Sequence, residues 1–501
     1  MKKFLNFCKK NSYFLYLIIP FFLICIKNVR PDNDIWFLLG NGRYIFEHGI
    51  PHVDPFSIHE GLDYIMQQWL TSAFLWKIYV WFGKRAILTF VLLMSIALIG
   101  VYYKLCYTIS NNKKLSVLIC ALIFLPMKYF LVSRPQIITY LILVLELLLL
   151  ELYIKKDNAK YLILLPFLSL LEINLHSTMW GFMFIVLIPY FLNCINIKNL
   201  TVDKVRWKPL VIVTICMIAC GLINPYGYKN MLVIVNSYGS SSINKCINEM
   251  KSLNFDSLSG KIMILSTISY IGLSVFFKHK KLDIRHTCIL CGFTLLAFMH
   301  NKGFAYFLLA LGFALAYQFG DFDIDKLEKK VLKKFTNNFQ YIMMSICFFL
   351  LISFGYCLFL NYSYYAWNTF TSHDKVADYI EENYDLNEVR LFTKFDNGGY
   401  FEYRGIKCYI DGRAELFLKK FNHKEEIMDE YYEIFAERLY DYESFLNKYH
   451  FTHLFVDTDS DFHDYLMESD DYEVVYNDWF DDEKTFAIRK LFAYVGDNKE
   501  K

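Results

Sequence analysis

The chain has 501 residues, of which 55% are hydrophobic, 19% aromatic and 20% charged, and its mean hydropathy is +0.27. This apolar and aromatic content exceeds that of soluble globular proteins, so the composition excludes a purely soluble enzyme. The formal net charge of +2 gives no bulk electrostatic basis for nucleic-acid binding.

The charged residues are concentrated towards one end of the chain. Long apolar runs fill the first two-thirds, whereas Asp, Glu and Lys are frequent in the last quarter. This asymmetry predicts a membrane domain over residues 1–365, which includes an outer loop at 28–85, followed by a soluble domain over 372–495. The basic N-terminus and its apolar run predict a retained anchor, because no small-residue cleavage site follows.

Apolar runs that approach the length of a membrane span recur along the first two-thirds of the chain. They predict a polytopic α-helical membrane protein with about eleven transmembrane helices. The runs lie near residues 13–27, 86–103, 115–133, 136–154, 161–175, 178–197, 209–224, 262–277, 286–299, 304–320 and 339–360. Glu146 falls in the middle of one run, where an ionisable side chain is costly, so we expect it to face the bundle interior.

Lysine and arginine residues distinguish the two sides of the membrane. If the N-terminus is cytoplasmic, every predicted inner loop is basic, and the short outer turns contain only Arg134 and Lys302. This distribution obeys the positive-inside rule. An odd number of spans then places the C-terminal domain on the extracytoplasmic side.

Two of the predicted outer segments are long, 28–85 and 225–261. The first contains aromatic, amphipathic stretches at 35–47 and 67–82, and helices of this kind commonly lie in the plane of the membrane interface. The second segment is polar, rich in Asn and Ser, and contains Glu249. We therefore expect the first outer loop to rest at the outer boundary between water and lipid.

The C-terminal segment alternates between helix-like and strand-like stretches. Residues 374–382 have the pattern of a helix, and short β-like runs follow at 389–392, 407–410 and 454–456. Further helical stretches occupy 424–448 and 461–469. Strands alternating with helices predict a small α/β domain.

Asp32-Asn33-Asp34 lies shortly after the first apolar run. In a structural interpretation these are solvated carboxylates, with Asp34 capping a helix that begins at Ile35. In a functional interpretation, one carboxylate is a general base that removes a proton from an acceptor hydroxyl. The other positions it or binds a divalent cation, Mg²⁺ or Mn²⁺, because hard cations prefer carboxylate oxygens. The sequence indicates no further cofactor.

Short motifs of charged, Gly and Pro residues follow one another along the predicted outer side. In the first outer loop they are Asp32-Asn33-Asp34-x-Trp36, Gly42-Arg43, Glu47-His48-Gly49-x-Pro51, Asp54-Pro55-Phe56-Ser57 and Trp69-Leu70. Later they are Arg134-Pro135-Gln136, Asn174-Leu175-His176, Asn224-Pro225-Tyr226-Gly227, Glu249 and Asp411-Gly412-Arg413-x-Glu415. The series resembles the bacterial membrane glycosyltransferases of the GT-C superfamily. The chain departs from many of these relatives at Gln68, where they have Glu, and at Met250, where they have Trp.

The resemblance implies a GT-C-like fold and a glycosyltransferase of the hexosyl or pentosyl type. It implies transfer, with inversion, from a polyprenyl-phosphate sugar to a glycan, lipid or protein acceptor of the cell envelope, in the bacterial plasma membrane. An Asp of the first outer loop would be the catalytic base, and either Asp32 or Asp34 fits. We favour Asp32, which is nearer the first span. Arg134 and Lys302 are the candidates for stabilising the departing lipid phosphate.

Other polar residues are candidates for contacts with the substrates. Those on the donor or substrate side are Arg43, Asn174, His176, Glu249 and His300. Asp411 and Arg413 are candidates on the acceptor side. Structural roles remain open: snorkelling at helix ends for the two outer cations, hydrogen bonds between helices for Asn174 and His176, and a turn with an ion pair for Asp411 and Arg413.

Two other functions are compatible with a chain of this class. A transporter or flippase for lipid-linked saccharides would show paired repeats with broken helices in two halves, and no such symmetry is visible. A non-catalytic membrane protein that binds envelope polymer is disfavoured, because the polar residues cluster on one side. A glycosyltransferase is therefore the preferred interpretation.

Overall fold

The structure is a computed structural model that describes residues 32–195, 200, 203, 205–237, 241–277, 282–322, 373–435, 441–479 and 487–496. The predicted spans near 13–27 and 339–360 lie outside the described residues. The described residues belong to two compact units. The first unit is drawn from Arg85–Met231 and Ile247–Ser363, and the second from Pro31–Lys84, Leu232–Cys246 and Tyr364–Lys501.

The first unit is built from α-helices. In chain order they are Lys84–Ser110, Lys113–Met127, Gln136–Lys156, Leu164–Leu175, Ser177–Asn193, Trp207–Gly221, Tyr228–Met231, Leu258–Phe277, Ile284–Met299 and Gly303–Gln318, with short 3-10 turns at Lys128–Phe130 and Ala159–Ile163. Each predicted apolar run that falls on described residues contains a helix, although some runs extend beyond the helix ends. A helix satisfies its backbone hydrogen bonds internally, which an apolar segment in lipid requires.

Three apolar helical stretches within the described residues are long enough to cross a membrane. They are Lys84–Ser110, Gln136–Lys156 and Leu258–Val275. Shorter apolar helices accompany them at Ser177–Asn193, Trp207–Gly221, Ile284–Met299 and Gly303–Gln318. The protein is thus mostly helical with membrane-spanning candidates, and the total of about eleven spans stays a prediction.

Several ionisable side chains are buried inside the first unit, among them Glu146 and Arg285. Glu146 is fully buried, as its mid-span position led us to expect. Arg285, which the sequence places among the basic residues of an inner loop, is also buried. Its guanidinium lies 2.7 Å from Asp203, 3.0 Å from Asp283 and 3.4 Å from Glu151. A buried charge requires such partners, and this cluster ties the Gln136–Lys156 helix to the Ile284–Met299 helix.

The second unit combines helices with a single five-stranded sheet. The strands are β1 (Arg390–Phe392), β2 (Lys407–Cys408), β3 (His453–Asp457), β4 (Tyr472–Trp479) and β5 (Ala487–Tyr494). The helices are Asp34–His48, Trp69–Phe82, Val233–Ser237, Ser241–Cys246, Asp374–Asn383, Phe395–Tyr403, Lys419–Asn422, Ile427–Phe435, Tyr442–Tyr449 and Asp461–Glu468, with a 3-10 turn at Ala414–Phe417. This unit joins the predicted first outer loop to the C-terminal segment.

The sheet has the order β2-β1-β3-β5-β4. Strands β2, β1 and β3 are parallel, and β5 pairs antiparallel with β3 and β4. The connections between the parallel strands contain helices, as parallel pairing requires. Strand β2 is one edge of the sheet, so its outer side is open to pairing with another segment of the chain.

Some local predictions for the second unit were wrong. The stretch 424–448 is not one helix, because Asp441 caps a new helix by accepting the backbone N–H of Ser444 at 3.1 Å. The strands β4 and β5 and the Phe395–Tyr403 helix were not predicted. The predicted interfacial helix at 35–47 is instead buried in protein along residues 35–42. The Trp69–Phe82 helix keeps Trp81 and Phe82 exposed, and its place in the interface stays a prediction.

Candidate functional site

The two acidic residues of the first outer loop begin the Asp34–His48 helix in different ways. The carboxylate of Asp32 accepts the backbone N–H of Asp34 at 3.2 Å, and the carbonyl of Asp32 accepts that of Ile35 at 3.0 Å. Asp32 therefore organises the helix start, and the prediction that Asp34 caps the helix was wrong, because Asp34 is already its first residue. Both side chains are only partly buried.

The carboxylate of Asp34 lies against the Asp411-Gly412-Arg413 turn. A Cβ atom on Gly412 would sit 3.2 Å from Asp34 Oδ1 and 3.2 Å from the ring of Phe37. That separation is tighter than ordinary packing, so the absence of a side chain at Gly412 allows the two segments to approach. The motif of the first outer loop and the motif after β2 thus meet in the second unit.

Aromatic contacts fix the helix that carries Asp34. The Trp36 ring lies 4.9 Å from Tyr400 and 5.1 Å from Tyr403, both on the Phe395–Tyr403 helix. Arg43 donates a hydrogen bond to the carbonyl of Tyr403 at 2.8 Å, near the C-terminal end of that helix. Gly398 allows this helix to approach the segment after β2, because a Cβ there would collide with the carbonyl of Ile410. These contacts determine the position of Asp34 relative to the sheet.

Arg413 is the centre of a buried ionic cluster. Its Nη1 donates to Asp54 at 2.5 Å, its Nε donates to Asp411 at 2.8 Å, and its Nη2 donates to Glu402 at 3.0 Å. All four side chains are buried. The guanidinium also lies over the rings of Phe56 and Tyr64. One residue thereby joins the outer loop, the Phe395–Tyr403 helix and the turn after β2.

Burial and charge set the protonation of this cluster. Burial raises the pKa of the Glu402 carboxyl well above its ordinary value, despite the nearby guanidinium. Burial alone would also raise the pKa of Asp411, but Arg413 holds that pKa below its ordinary value. Burial disfavours the charged form of Arg413, yet its three carboxyl neighbours hold its pKa well above the ordinary range. The surroundings therefore favour the charged forms of Arg413 and Asp411 and disfavour ionisation of Glu402.

The first outer loop also pairs with the open edge of the sheet. Ser57 forms a parallel bridge with Cys408 of β2, and Ile58 donates its N–H to the Cys408 carbonyl at 2.9 Å. Asp54 supports this geometry, because its Oδ2 accepts the N–H of Ser57 at 2.9 Å. Next along the loop, His59 Nε2 lies 2.8 Å from the Tyr409 carbonyl. The Asp54-Pro55-Phe56-Ser57 motif thus attaches the first outer loop to the edge strand β2.

A second group of candidates lies in the first unit. Arg134 donates to Glu249 at 2.6 Å. The segment after Glu249 runs beside the turn at 300–302. There, the N–H of Lys302 bonds the carbonyl of Glu249 at 3.0 Å, and His300 Nδ1 lies 2.8 Å from the Met250 carbonyl. The structure therefore brings Arg134, Glu249, His300 and Lys302 together, although they come from three separate segments.

His176 belongs to a buried chain of hydrogen bonds in the same unit. Its Nδ1 lies 2.8 Å from Thr139 Oγ1, which in turn donates to Glu172 at 2.6 Å. The amide of Asn174 donates to the carbonyls of Leu170 and Ile223 at 2.8 and 3.0 Å. His176 thus connects two helices, and Asn174 joins its own helix to the segment after Trp207–Gly221.

Sequence reasoning missed two residues of these clusters. Glu402 and Thr139 are both buried and bonded to predicted candidates. Thr139 has no sequence signal beyond its place in the first turn after Arg134-Pro135-Gln136. Glu402 lies in a helix that the sequence did not reveal. The contacts of Glu402 and Thr139 with the predicted candidates are seen only in the folded structure.

The described residues contain no group of three or more His, Cys, Asp or Glu side chains arranged to hold a metal ion. Asp32 and Asp34 alone supply two carboxylates. A Mg²⁺ ion commonly takes one or two protein carboxylates and completes its shell with water and substrate phosphate. The pair therefore fits a partial site of this kind, and metal dependence stays a prediction.

No protein-family model and no curated protein sequence matches the chain. Its fold is similar to solved structures of an oligosaccharyltransferase from Archaeoglobus fulgidus. One, tethered to an acceptor peptide containing an NVT sequon, has a TM-score of 0.58 and 11% identity, over 90% of this chain and 70% of that chain.

Two further structures of the Archaeoglobus fulgidus enzyme also match. The apo form has a TM-score of 0.56, and a complex with an inhibitory peptide and a dolichol-phosphate has a TM-score of 0.55. Each is 12% identical to this chain, and each match covers 90% of this chain and 70% of the matched chain. The likeness extends over most of both chains and concerns the fold. The protein therefore has the fold of the GT-C membrane glycosyltransferases, the superfamily that includes these oligosaccharyltransferases.

Proposed function

We propose that this protein is a glycosyltransferase that moves a sugar, with inversion, from a polyprenyl-phosphate donor to an acceptor of the cell envelope. The observation that carries the proposal is the placement of Asp34. Asp34 is the first residue of a helix that the contact between the Trp36 and Tyr400 rings holds in place, and its carboxylate lies against the backbone of Gly412. In a chain with the GT-C fold, a fixed carboxylate in the first outer loop is suited to general base catalysis.

The two Asp residues have separate roles in this proposal. The Asp32 carboxylate accepts the N–H of Asp34, so it positions its neighbour. The Asp34 carboxylate takes the proton from the acceptor hydroxyl as the new glycosidic bond forms. Position along the sequence favoured Asp32 as the base, and the hydrogen bonding favours Asp34. Where a divalent cation takes part, the same two carboxylates would hold it, and it would supply positive charge to a phosphate group.

The leaving group is the lipid phosphate, whose charge must be stabilised as the bond to the sugar breaks. Arg134 and Lys302 fit this role, with Glu249 holding the guanidinium and the backbone of Lys302. His300 and His176 support the same region as positioning residues. Arg43 and Asn174 complete the proposed substrate-side set. On the acceptor side, Asp411 and Arg413 act by shaping the turn that contacts Asp34.

The proposed architecture follows the sequence analysis. About eleven spans hold the active site at the outer face of a bacterial plasma membrane. The N-terminus is cytoplasmic, and the α/β part over 372–495 is extracytoplasmic. A hexosyl or pentosyl unit is transferred to a glycan, lipid or protein of the envelope.

The test compares cells without the chain, cells with the wild-type chain and cells with single variants. Lipid-linked saccharides and envelope glycans are measured in each. We expect Asp34→Asn and Asp32→Asn to accumulate a lipid-linked saccharide and to lack an envelope glycan, while the protein is still inserted in the membrane. Asp256→Asn is the matched control, because Asp256 is an exposed carboxylate of the second predicted outer segment.

Full restoration of the glycan by both Asp32→Asn and Asp34→Asn would overturn the proposal. So would accumulation of the saccharide on the inner leaflet alone, which is the signature of a flippase.

A further inference from the structure

A pocket opens beside the contact between Asp34 and Gly412, wholly inside the second unit. Its cavity volume is about 50 Å³, and its mouth is open to solvent. The recess is therefore sized for one small group rather than for a large ligand. Gly412, which the Asp34 carboxylate approaches, belongs to its wall, and so does Phe37. The pocket is therefore adjacent to the proposed catalytic carboxylate.

The side chains around the pocket combine planar amides with aromatic rings. The amides are Asn41, Gln67 and Gln68, and the rings are Phe37, Tyr64 and Phe421. An amide group offers both donors and acceptors, and so does a sugar hydroxyl group. An aromatic ring provides an apolar face for the C–H face of a sugar ring. This combination matches a ligand that is rich in hydroxyl groups.

The charges at the pocket disfavour an anionic ligand. Arg413 is the one cation among the described residues that line the pocket, and it already donates from Nε, Nη1 and Nη2 to three carboxyl groups. Two further carboxyl side chains, Asp63 and Glu415, line the pocket. A phosphate or carboxylate would meet this acidic lining without a cation to pair with. A neutral, hydroxylated group avoids that penalty, and carboxylates accept hydrogen bonds from hydroxyl groups well.

We infer that this pocket binds a neutral saccharide residue of the acceptor. The assignment of this saccharide to the acceptor rests on the proposed function, whereas saccharide binding in the pocket does not. A sugar held between the amides and the rings, beside Gly412, presents a hydroxyl group on the side of the pocket that borders Asp34. The pocket would then select an acceptor that is itself a glycan or glycolipid.

Gln68 and Glu415 are the side chains to change. Gln68 precedes the Trp69–Phe82 helix, and its side chain makes no capping hydrogen bond, so Gln68→Ala leaves the helix start intact. Its backbone carbonyl, which accepts the N–H of Ser72, is kept. Glu415 lies in the short Ala414–Phe417 turn and is partly exposed. The matched controls are Asn383→Ala and Glu443→Ala, which remove exposed side chains of the same types outside the pocket.

The experiment measures saccharide binding directly, without a donor. The full-length protein is placed in phospholipid nanodiscs, because detergents with sugar headgroups would compete for the pocket. Saturation-transfer NMR is recorded with cellotriose, maltotriose and chitotriose as probes. We expect at least one trisaccharide to bind, with affinity at least tenfold weaker in Gln68→Ala and Glu415→Ala. The two controls should bind like the wild type.

Asp34→Asn separates this inference from the proposed function. If Asp34→Asn binds the trisaccharide but transfers no sugar in cells, both stand. If saccharide binding persists and the Asp variants retain full transfer, only the proposed function fails. The inference is overturned if no neutral trisaccharide binds, or if the pocket variants bind as well as the wild type. It is also overturned if the neutral-capped cationic tripeptide acetyl-(Lys)3-amide binds in preference to every trisaccharide.

Discussion

Asp54 and Arg413 are 359 residues apart in the chain, and 2.5 Å separates Asp54 Oδ1 from Arg413 Nη1. This contact joins the first outer loop to the turn after β2. Because Arg413 also reaches Asp411 and Glu402, one guanidinium holds together three segments of the second unit. The position of Asp34 relative to Gly412 depends on this cluster.

Replacement of Arg413 is expected to destabilise the second unit. Arg413→Met would leave buried carboxyl groups without their cation, which costs about 3–5 kcal/mol in proteins. Arg413→Lys should rescue little of this loss, because an ammonium group cannot match the three directions of the guanidinium. The midpoint of thermal unfolding and the rate of limited proteolysis after residue 373 would measure the effect.

Arg404→Met is the matched control for Arg413. Arg404 pairs with Asp378 and Glu381 in partly exposed contacts, and such pairs contribute at most about 1 kcal/mol. Its midpoint should therefore stay close to that of the wild type. Equal losses in Arg404→Met and Arg413→Met would show that the buried cluster has no special role.

Gly412→Ala should impair transfer more than it impairs folding. The added Cβ would meet Asp34 Oδ1 and the Phe37 ring at 3.2 Å, so the carboxylate must shift by a few tenths of an ångström or more. Misplacement of a catalytic group by about 1 Å can lower the rate by roughly a hundredfold. We expect a tenfold to hundredfold loss of transfer in the cell-based glycan assay, with a nearly unchanged unfolding midpoint.

Gly40→Ala is a suitable control on the same helix. A Cβ there would lie 3.7 Å from the Tyr403 backbone, which is ordinary van der Waals contact. Alanine also favours helix by about 1 kcal/mol over glycine. Transfer by Gly40→Ala should match the wild type, and an equal loss in both variants would contradict a specific role for the Gly412–Asp34 contact.

The stability of the second unit should fall in mild acid because of His453. Its ring is buried against Tyr384, with centroids 4.2 Å apart, and its pKa is lowered by burial to about 4. The ordinary value is about 6.5. Because the folded-state pKa is depressed, the folded protein binds fewer protons than the unfolded chain in this window. Stability is therefore full above about pH 6.5 and decreases as the pH falls towards 4, by up to about 3 kcal/mol.

Thermal unfolding between pH 7 and 4.5 would measure this effect. His453→Phe keeps an aromatic ring but cannot bind a proton, so its unfolding midpoint should depend less steeply on pH than that of the wild type. His450→Asn is the control, because His450 is exposed and its positive φ of 49° suits Asn. Identical pH profiles for wild type and His453→Phe would contradict the assignment to this residue.

The apolar helices were predictable because lipid imposes a simple requirement. An apolar stretch in a membrane satisfies its backbone only as a helix or a closed barrel, so composition alone indicates structure. The runs at 136–154 and 304–320 accordingly correspond to the helices Gln136–Lys156 and Gly303–Gln318. Strands β4 and β5 were not predictable in this way, because charged residues such as Glu473 and Arg489 interrupt them and their pairing depends on β3.

The candidate site was predictable only as a set of residue types. The motifs Asp32-Asn33-Asp34 and Asp411-Gly412-Arg413 were both identified, but the sequence did not show that they touch. Their contact depends on the Phe395–Tyr403 helix and on the bond from Arg413 to Asp54, and both are long-range. In the first unit, likewise, the pairing of Arg134 with Glu249 joins positions 115 residues apart.

Replacement of Glu146 and replacement of Glu151, which lie on the same helix of the first unit, should shift the midpoint of thermal unfolding in opposite directions. Neither Oε1 nor Oε2 of Glu146 has a hydrogen-bond partner among the described residues, and the side chain is fully buried. Glu151 instead accepts from Tyr190 at 2.8 Å and from Arg285 at 3.4 Å. A buried polar group without a partner costs about 1–3 kcal/mol. Glu146→Leu should therefore raise the midpoint of thermal unfolding in nanodiscs.

Glu151→Leu should lower the midpoint of thermal unfolding, because it removes a carboxylate from the buried Arg285, and breaking such a pair costs about 3–5 kcal/mol. The two variants make the same chemical change on the same helix, so lost charge and added volume cancel in the comparison. If Glu146→Leu lowered the midpoint as much as Glu151→Leu does, the interpretation of Glu146 as a destabilising buried carboxyl group would be contradicted.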